Sequence, residues 1–415
     1  MVVALVHLLV LLVFVNRYFL GQWLKRVRGA SFDARMDIDG REPTVAIVVP
    51  MFNEGEGIYR TIHSLLAQEY PADKLRIVVV DDCSTDDSYS WARRAALESD
   101  RVAVLRNAEN MGKRRSINHA VRRTEAEIIV SVDSDVVVDR RAVYELVCRF
   151  TEPRIAAVGG RVHVVNVNEN WLTRMQAIKY WFGYEYLKDI ERVFRSVMCL
   201  SGCLTAYRRH VLLELEPILE DRNVLGVPIK YGEDRFLTRQ IVKAGWQTVM
   251  TLDAVSYTVA PPTLTKYFSQ QLRWRRSNLI DYIGGLSHAW RLHPVVAIHY
   301  FSTFAMLVAY PVMVVESLVT QSFWPLTLLH GGILALLGTI YWLRTRDMSP
   351  DMRVTLIWFV SMAALMPVTY MLLTPLALFT LDSGSWETRG KPKPSEQEEQ
   401  AQQPTSDLLD VGPAT

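Results

Sequence analysis

The sequence predicts an α/β domain with a mostly parallel sheet, joined to transmembrane and interfacial α-helices. From Thr44 to Gly285, short β-branched runs alternate with helical patterns, as in a globular βαβ domain. Outside this region the chain carries apolar runs long enough to cross a membrane. Half of the 415 residues are hydrophobic, and their uneven distribution separates the two kinds of region.

The α/β domain is expected over residues 41–260, and its first four strands carry the clearest pattern. These strands are predicted at Thr44–Pro50, Leu75–Asp81, Val102–Arg106 and Ile128–Asp133. The helices between them are predicted at Gly57–Gln68, Asp87–Glu98 and Lys113–Thr124. Ligands of parallel sheets bind beyond the carboxyl ends of the strands, so the functional residues are expected there.

The N-terminal segment, residues 1–28, is predicted to be a transmembrane anchor. Val2–Leu20 is almost wholly apolar, and as a helix it would be about 28 Å long, enough for a bilayer core. Basic residues follow this run at Lys25 and Arg26, whereas a signal peptide carries them before it. The anchor therefore predicts an outer N-terminus and a cytoplasmic α/β domain.

Residues 294–381 are predicted to form transmembrane or re-entrant helices. Their apolar stretches are Val295–Val319, Phe323–Leu343 and Thr355–Leu381. Three arginines after the second stretch mark a cytoplasmic loop. The third stretch is expected to break near Pro367 and return to the same side. These features predict a multi-pass protein of the plasma membrane, which is the inner membrane in a Gram-negative cell.

Charge and cysteine content argue against several kinds of site. The formal net charge is only +2, which gives no electrostatic case for a nucleic-acid partner. The cysteines lack the spacing of a disulfide framework or a zinc site and are expected to be reduced thiols. They are Cys83, Cys148, Cys199 and Cys203.

Acidic residues stand at the tips of the predicted strands. Glu54 follows the first strand and Asp82 the second, where a carboxylate can bind a base edge or a ribose hydroxyl. The alternative is that Asp82 and Asp86 cap the next helix, which for Asp86 alone is at least as good an interpretation. Asp133 and Asp135 are two apart in extended chain, so both face one side. Such a pair suits Mg²⁺ or Mn²⁺ holding a diphosphate, although many Asp-x-Asp pairs are surface turns.

Two further motifs combine charge with the start of a helix. Lys113 follows Asn110-Met111-Gly112, and a helix N-terminus with a cation is an anion site; the alternative is a solvated charged turn. Glu233 and Asp234 follow Gly232 and offer a carboxylate able to act as a general base. They could equally be a charge pair at a helix N-terminus.

Residues 261–290 are predicted to form an amphipathic interface helix. Gln270, Arg273 and Trp274 are three and four residues apart and share one helical face. An arginine can bind phosphate, and an indole can stack on a sugar ring. The alternative is a membrane-interface helix with a snorkelling arginine and a tryptophan anchor.

In this order the motifs resemble the processive family 2 glycosyltransferases, which are the hyaluronan, chitin, cellulose and nodulation chitooligosaccharide synthases. The resemblance covers about Val45–Arg389 and rests on Asp81-Asp82, Asp133-x-Asp135, Gly232-Glu233-Asp234 and Gln270-x-x-Arg273-Trp274. It implies a GT-A domain docked on transmembrane helices that conduct the growing polymer. It also implies UDP-sugar donors, a growing polysaccharide, Mg²⁺ or Mn²⁺ and membrane lipid, with no obligate protein partner.

The resemblance implies a role for each motif residue. Asp234, beside Glu233, would be the general base of an inverting transfer. Trp274 would bind the acceptor sugar, with Gln270 at the channel mouth, and Asp135 would bind the metal. The residues implied in nucleotide-sugar binding are Glu54, Asp82, Lys113, Asp133 and Arg273.

Two segments depart from the family pattern. Cys203 stands where a proline is usual. The motif Trp386-Glu387-Thr388-Arg389 resembles a gating loop in which glycine occupies the position of Glu387. It lies in the segment 382–415, which is expected to end in a disordered tail rich in proline, glutamine and glutamate.

The product is the least decided feature. Hyaluronan, made from UDP-N-acetylglucosamine and UDP-glucuronic acid, is slightly favoured by the segment Leu225–Pro228. A donor carboxylate would need a cation, and the candidates are Arg208, Arg209 and Arg235. One alternative is a chitin-type oligomer made from UDP-N-acetylglucosamine alone. The others are a non-processive transfer to a lipid carrier and a membrane protein that only binds nucleotide-sugars.

Overall fold

The structure of the protein is a computed structural model that describes most of the chain. The described residues are 5, 8, 9, 19–28, 33–224, 226–229, 231–346, 348 and 353–381. Most of the predicted N-terminal anchor lies outside them. The gating-like motif residues Trp386, Thr388 and Arg389 also lie outside the described residues.

The centre of the molecule is a mixed eight-stranded sheet with a separate two-stranded ribbon. The strands are Val45–Met51 (β1), Leu75–Asp81 (β2), Val102–Arg106 (β3), Ile128–Ser131 (β4), Val137–Val138 (β5), Ile155–Val164 (β6), Thr205–Arg208 (β7), Asn223–Val224 (β8), Val227–Pro228 (β9) and Gln247–Thr258 (β10). The large sheet has the order β3-β2-β1-β4-β7-β6-β10-β5, and β8 pairs with β9.

The predicted parallel half of the sheet is confirmed. Strand β1 is parallel to both β2 and β4, and β2 is parallel to β3. Their ends agree with the predicted ends within two residues. The other half is mixed, because β7 runs antiparallel to β4 and β6 while β10 is parallel to β6.

Helices cover the sheet and form the C-terminal region. They are Gly21–Arg28 (α1), Gly57–Leu66 (α2), Ser88–Glu98 (α3), Lys113–Arg122 (α4), Ala142–Val147 (α5), Trp171–Trp181 (α6), Asp189–Val193 (α7), Arg209–Glu220 (α8), Glu233–Lys243 (α9), Leu264–Gly285 (α10), Pro294–Val319 (α11), Trp324–Thr345 (α12) and Trp358–Phe379 (α13). A π-helical segment, Phe182–Leu187, continues α6. The three helices predicted between the first four strands are confirmed within two residues.

Strand β1 forms the middle of the domain because it is apolar on both faces. All seven of its residues are buried. Successive side chains of a strand point to opposite faces, and Ile47 and Val48 accordingly belong to two different core clusters. At the end of the strand Met51 pairs with Asp81 of β2, so the two carboxyl ends lie side by side.

Helices α6, α10 and α13 pack against one another beside the sheet. A third hydrophobic cluster joins them to α12, with Ile178, Tyr267 and Phe359 among its members. Asn170 caps α6 and also donates a hydrogen bond to the Pro262 carbonyl at 2.9 Å, just before α10. The start of α6 is thereby fastened to the segment that leads into α10, which lies within the predicted interface helix.

Two helices, α11 and α12, are long and apolar enough to cross a membrane. They correspond to the first two apolar stretches of the C-terminal region. Leu9, from the predicted anchor, packs with Ala309, Met313 and Leu329 of these helices. Apolar helices that pack in this way support membrane association of this part of the chain.

The third apolar stretch forms one unbroken helix, so the break predicted near Pro367 is wrong. Helix α13 is continuous over 22 residues. Its start contacts α6, where the Arg174 guanidinium lies 5.2 Å from the Trp358 ring centroid. Its end contacts α10, where Arg276 donates to the Thr380 hydroxyl at 2.8 and 3.0 Å. Neighbouring helices can stabilise a proline-containing helix, which accounts for the continuity.

The end of α13 is held beside the α/β domain, because the Tyr231 hydroxyl donates to the Leu381 carbonyl at 2.9 Å. We therefore expect the segment after α13 to lie in the same compartment as this domain.

In a Ser395→Cys variant, an impermeant thiol reagent should leave the new cysteine unmodified in intact cells and modify it after permeabilisation. Thr320→Cys, in the exposed turn between α11 and α12, is the control that should react in intact cells. Labelling of Ser395→Cys from outside would contradict the arrangement.

Candidate active site

The loops after β1 and β2 are tied together at the carboxyl edge of the sheet. After β1 the backbone turns through Asn53 and Gly55, which have φ angles of +51° and +56°. The Asn53 side chain accepts a hydrogen bond from the Thr85 N–H at 2.9 Å. The Ser88 hydroxyl accepts hydrogen bonds from the N–H groups of Glu54 and Gly55 at 2.7 and 2.8 Å. These contacts fix the turn that carries Glu54.

Glu54 contacts the loop that follows β4. The Ser134 hydroxyl donates a hydrogen bond to the Glu54 carboxylate. The Ser134 carbonyl in turn accepts one from the Thr61 hydroxyl of α2 at 2.9 Å. Ser134 stands between Asp133 and Asp135, so this residue connects the tips of β1 and β4. No sequence motif indicates this role for Ser134.

Asp82 holds the loop that leads into α4. Its carboxylate accepts hydrogen bonds from the N–H groups of Met111 and Gly112 at 2.8 and 2.7 Å and from the Asn107 amide at 2.8 Å. Only 1% of its surface is exposed. The alternative that Asp82 caps the helix after β2 is therefore wrong, because its bonds go to a different loop. Its contact with a base stays a prediction.

Lys113 lies at the centre of the candidate site. Helix α4 begins at this residue, directly after Gly112 with φ +84°. The Lys113 ammonium contacts Asp133 Oδ1 at 2.6 Å and Glu233 Oε1 at 2.5 Å. Only 11% of its side chain is exposed, so the alternative of a solvated turn is wrong. One cation thus joins α4, the β4 loop and α9, which are distant in sequence.

Gly202 brings a fourth segment against this ion cluster, which consists of Lys113, Asp133, Glu233 and Asp234. A Cβ at position 202 would lie 2.6 Å from Lys113 Nζ. The Gly202 N–H donates to Asp234 Oδ2 at 3.3 Å. A side chain here would force the Lys113 ammonium to shift from its contacts with Asp133 and Glu233, so the close approach favours glycine. The sequence alone does not show why glycine stands at this position.

Within the ion cluster, the pKa values of Glu233 and Asp234 are shifted in opposite directions. Desolvation alone would raise both pKa values. For Glu233 desolvation is the largest effect, but the charge and hydrogen bond of Lys113, a backbone hydrogen bond and the charge of Arg273 together outweigh it, and its pKa lies below the usual value. For Asp234 desolvation and the charge of Glu233 hold the pKa above the usual value. Desolvation alone would lower the pKa of Lys113, but the three carboxylates raise it well above normal. Asp234 is therefore the stronger base of the pair.

Asp133 and Asp135 fit a divalent cation. Desolvation and the charge of Asp133 raise the pKa of Asp135 to about 6, while its side chain keeps surface open to solvent. The charges of Lys113 and Arg273 favour the ionised carboxylate but do not offset these two effects, and a divalent ion would add the further positive charge. Within the described residues, no group of three or more His, Cys, Asp or Glu could hold a metal by itself. Mg²⁺ or Mn²⁺ would therefore take further ligands from a diphosphate and water.

Helix α10 brings its predicted residues to the other side of the ion cluster. The charge of Arg273 reaches Asp135 and Glu233, where it favours the ionised carboxylates. The ring of Trp274 contacts that of Tyr180, with 6.1 Å between centroids. Arg273, beside the carboxylates, is suited to binding a phosphate. The indole of Trp274, next to Tyr180, is suited to stacking on a sugar ring.

Lys179, on α6, is a neighbour of Trp274 that sequence analysis missed. Its ammonium lies 5.6 Å from the Trp274 ring centroid and donates to the Gln271 side chain. Gln271 in turn donates to the Gln270 side chain at 3.3 Å. Desolvation, followed by repulsion from Arg275, lowers the pKa of Lys179 to about 7. Helix α6 carries no recognisable motif, so only its packing against α10 reveals this residue.

Two of the three arginines considered for a donor carboxylate are engaged elsewhere. Arg208 donates to the Ile155 carbonyl at 2.8 Å, and Arg209 donates to the Val121 carbonyl at 3.1 Å. Arg235 follows Asp234 and lines a cavity of about 210 Å³ between α9, α10 and α11. These positions give no support to a carboxylate-binding role for Arg208 and Arg209.

Comparisons with known proteins agree on the kind of domain. The model of the family described as glycosyltransferase like family 2 matches residues 43–277. An N-acetylglucosaminyltransferase of Bradyrhizobium diazoefficiens is 35% identical over 254 residues, which are 61% of this chain and 51% of that protein. An N-acetylglucosaminyltransferase of Rhizobium meliloti is 35% identical over 257 residues, 61% and 60% of the two chains. The matches thus cover about half to three fifths of these relatives.

A solved structure supports the fold. A mannosyltransferase from Pyrobaculum calidifontis, in complex with GDP-Man and Mn²⁺, superposes with a TM-score of 0.55. The superposition covers 91% of this chain and 96% of that chain at 20% identity. The predicted GT-A fold with its mostly parallel sheet is therefore confirmed.

Proposed function

Because the chain belongs to the family glycosyltransferase like family 2, we propose that it is a membrane-associated N-acetylglucosaminyltransferase that builds a chitin-type oligomer from UDP-N-acetylglucosamine. The family establishes that the protein is a glycosyltransferase. The observation that carries the proposal is the ion cluster, in which Lys113 joins Asp133 and Glu233 beside the raised pKa of Asp234. It provides a cation for a diphosphate and a base for an acceptor within one site.

In the proposed reaction Asp234 takes the proton of an acceptor hydroxyl. The hydroxyl oxygen forms a bond to the anomeric carbon of the donor, and the bond from that carbon to the diphosphate oxygen breaks. Lys113 and Arg273 would face the negative charge that UDP gains as it leaves. A divalent ion bound at Asp133 and Asp135 would supply further charge stabilisation. Trp274 would stack on the acceptor sugar ring and so direct the reacting hydroxyl of that sugar toward Asp234.

The nature of the relatives favours a chitin-type product over hyaluronan, which sequence analysis slightly favoured. Both relatives are described as N-acetylglucosaminyltransferases. Hyaluronan requires a second, carboxylated donor, and Arg208 and Arg209 bind backbone carbonyls instead. We further propose that α11 and α12 hold the enzyme in the membrane, with the α/β domain on the cytoplasmic side where UDP-sugars are made.

Purified enzyme is expected to form an N-acetylglucosamine oligomer from UDP-N-acetylglucosamine and Mn²⁺ alone. The product should be cut by chitinase and resist hyaluronidase, because a neutral donor satisfies the site without a carboxylated partner. Sizing by mass spectrometry, with the aqueous and lipid-extractable fractions kept apart, checks the prediction.

Two outcomes would contradict this product assignment. A requirement for UDP-glucuronic acid, with product cut by hyaluronidase, would restore the hyaluronan prediction. A single sugar recovered only in the lipid fraction would favour the non-processive alternative. UDP-glucose, which lacks the N-acetyl group, is the matched donor control and is expected to give no oligomer.

A further inference from the structure

A buried arginine cluster, Arg222, Arg239 and Asp281, lies beneath the acidic loop, residues 231–234. Asp281 of α10 contacts Arg239 Nε at 2.9 Å and Arg222 Nη2 at 3.5 Å. The side chains of Arg222 and Asp281 expose only 1% and 4% of their surface. The proposed reaction gives none of the three a chemical role, yet burying these charges requires the contacts between them.

Arg222 holds the backbone immediately before the two acidic residues. Its Nη1 donates to the carbonyls of Tyr231 at 2.6 Å and Gly232 at 3.0 Å. Its guanidinium also lies 4.3 Å from the ring centroid of Phe236, in the first turn of α9. Arg239 lies 5.1 Å from the same ring. The arginine cluster therefore fixes both the acidic loop and the helical turn that carries Asp234.

Asp281 connects this loop to the acceptor side of the site. Trp274, Ser277 and Asp281 are spaced by three and four residues, so they form one stripe along α10. Asp281 lies about 10 Å along the helix axis from Trp274, at 1.5 Å per residue. Ser277, between them, touches the acidic loop directly, because a Cβ on Gly232 would lie 1.9 Å from Ser277 Oγ. Gly232 also has φ +67°, which favours glycine.

We propose that Arg222 and Asp281 are positioning residues that set the distance between Asp234 and the acceptor sugar on Trp274. One stripe of α10 carries Trp274, which would bind the acceptor, and Asp281, which pairs with Arg222. Arg222 in turn binds the acidic loop that carries the base. Lys113 links the acidic loop to the donor side through its pairs with Glu233 and Asp133, and neither Arg222 nor Asp281 takes part in those pairs. This inference rests on the proposed function, because it assumes the roles of Asp234 and Trp274.

In purified full-length enzyme, Arg222→Gln is expected to lower kcat for transfer about 30- to 100-fold, since a misplacement of about 1 Å can cost about a hundredfold. The KM for UDP-N-acetylglucosamine should stay within about threefold, because the donor contacts are unchanged. The fraction of donor hydrolysed to free sugar should rise, because Asp234 remains but is displaced from the acceptor hydroxyl, so water can react in place of the acceptor. Arg222→Lys keeps the charge without the forked geometry and should recover part of kcat.

Arg208→Gln is the matched control. Arg208 also donates to two backbone carbonyls, of Ile155 at 2.8 Å and Glu152 at 3.2 Å, away from α10. This variant should keep the wild-type ratio of transfer to hydrolysis. Asp281→Asn should reproduce the effect of Arg222→Gln, and the double variant should lose less than the product of the two single losses.

Three outcomes would overturn the positioning role. These are an unchanged transfer-to-hydrolysis ratio in Arg222→Gln, an equal change in Arg208→Gln, and failure of the conservative variants Arg222→Lys and Asp281→Asn to fold. The last would assign the arginine cluster to stability alone. Absence of any transfer by the wild-type enzyme would refute the proposed function instead, so the two failures are distinguishable.

Discussion

Replacing Asp234 by asparagine is expected to abolish nearly all sugar transfer while leaving UDP binding within a few-fold of normal. Asparagine keeps the size of the side chain and can still accept a hydrogen bond from the Gly202 N–H, which lies 3.3 Å from the carboxylate. It cannot take a proton at neutral pH. We expect kcat to fall by a factor of about 10² to 10⁴, the usual contribution of a positioned base. Steady-state kinetics and calorimetric UDP titration measure the two quantities.

The pH dependence provides a second readout of the same base. Desolvation and the charge of Glu233 raise the pKa of Asp234, and transfer requires the ionised form. Activity should therefore fall as the pH is lowered through this raised pKa, at a higher pH than for an ordinary aspartate. Glu233→Gln is the comparison variant: it keeps the base but removes a charge that raises the pKa of Asp234, so the fall in activity should move to lower pH. Near-normal synthesis by Asp234→Asn, or a larger loss in Glu233→Gln, would show that the base is another residue.

That Glu54 and Asp133 lie close together could be predicted, because their positions follow from the topology of the first four strands. Strand β1 is apolar on both faces, and such a strand can lie only inside a sheet. Once β1, β2 and β4 are parallel neighbours, their carboxyl ends must meet, and Glu54 and Asp133 come together. The Ser134 hydroxyl that joins them was hidden between two acidic residues, where a serine carries no signal of its own.

The remainder of the site depends on packing that no local pattern encodes. Arg222 and Lys179 act through α10, which follows them by tens of residues, and neither stands in a motif. Asp82 was placed correctly at a strand tip, but its three bonds to the 107–112 loop depend on how that loop folds back. The sequence could rank Asp82 as important without identifying its partners.

Hydropathy was a good guide to the membrane-associated helices and a poor guide to their arrangement. It identified α11, α12 and α13 with nearly correct ends. Hydropathy could not show whether the third apolar stretch breaks and returns or lies unbroken along α6 and α10, because the sequence is equally apolar in the two arrangements. The polar contacts of Arg276 with Thr380 and of Tyr231 with Leu381 decide the arrangement, and Arg276 and Tyr231 lie outside the apolar stretch.

Replacing Asp135 by alanine is expected to abolish the effect of Mn²⁺ on UDP binding and to reduce transfer by about a thousandfold. Desolvation and the charge of Asp133 raise the pKa of Asp135 to about 6, so the two ionised carboxylates are unfavourable neighbours and a bound cation would stabilise the pair. Without Asp135 the ion loses a protein ligand, and one carboxylate with water binds Mn²⁺ weakly. Calorimetric titration of UDP with Mn²⁺ and with EDTA should give equal affinities for the variant and at least tenfold different affinities for the wild type.

Asp139→Ala is the control. The Asp139 carboxylate accepts a local hydrogen bond from the Arg141 N–H at 3.0 Å, so this variant should leave the Mn²⁺ effect intact. If UDP binding by Asp135→Ala keeps the wild-type dependence on Mn²⁺, the metal is held elsewhere and Asp135 is not its ligand.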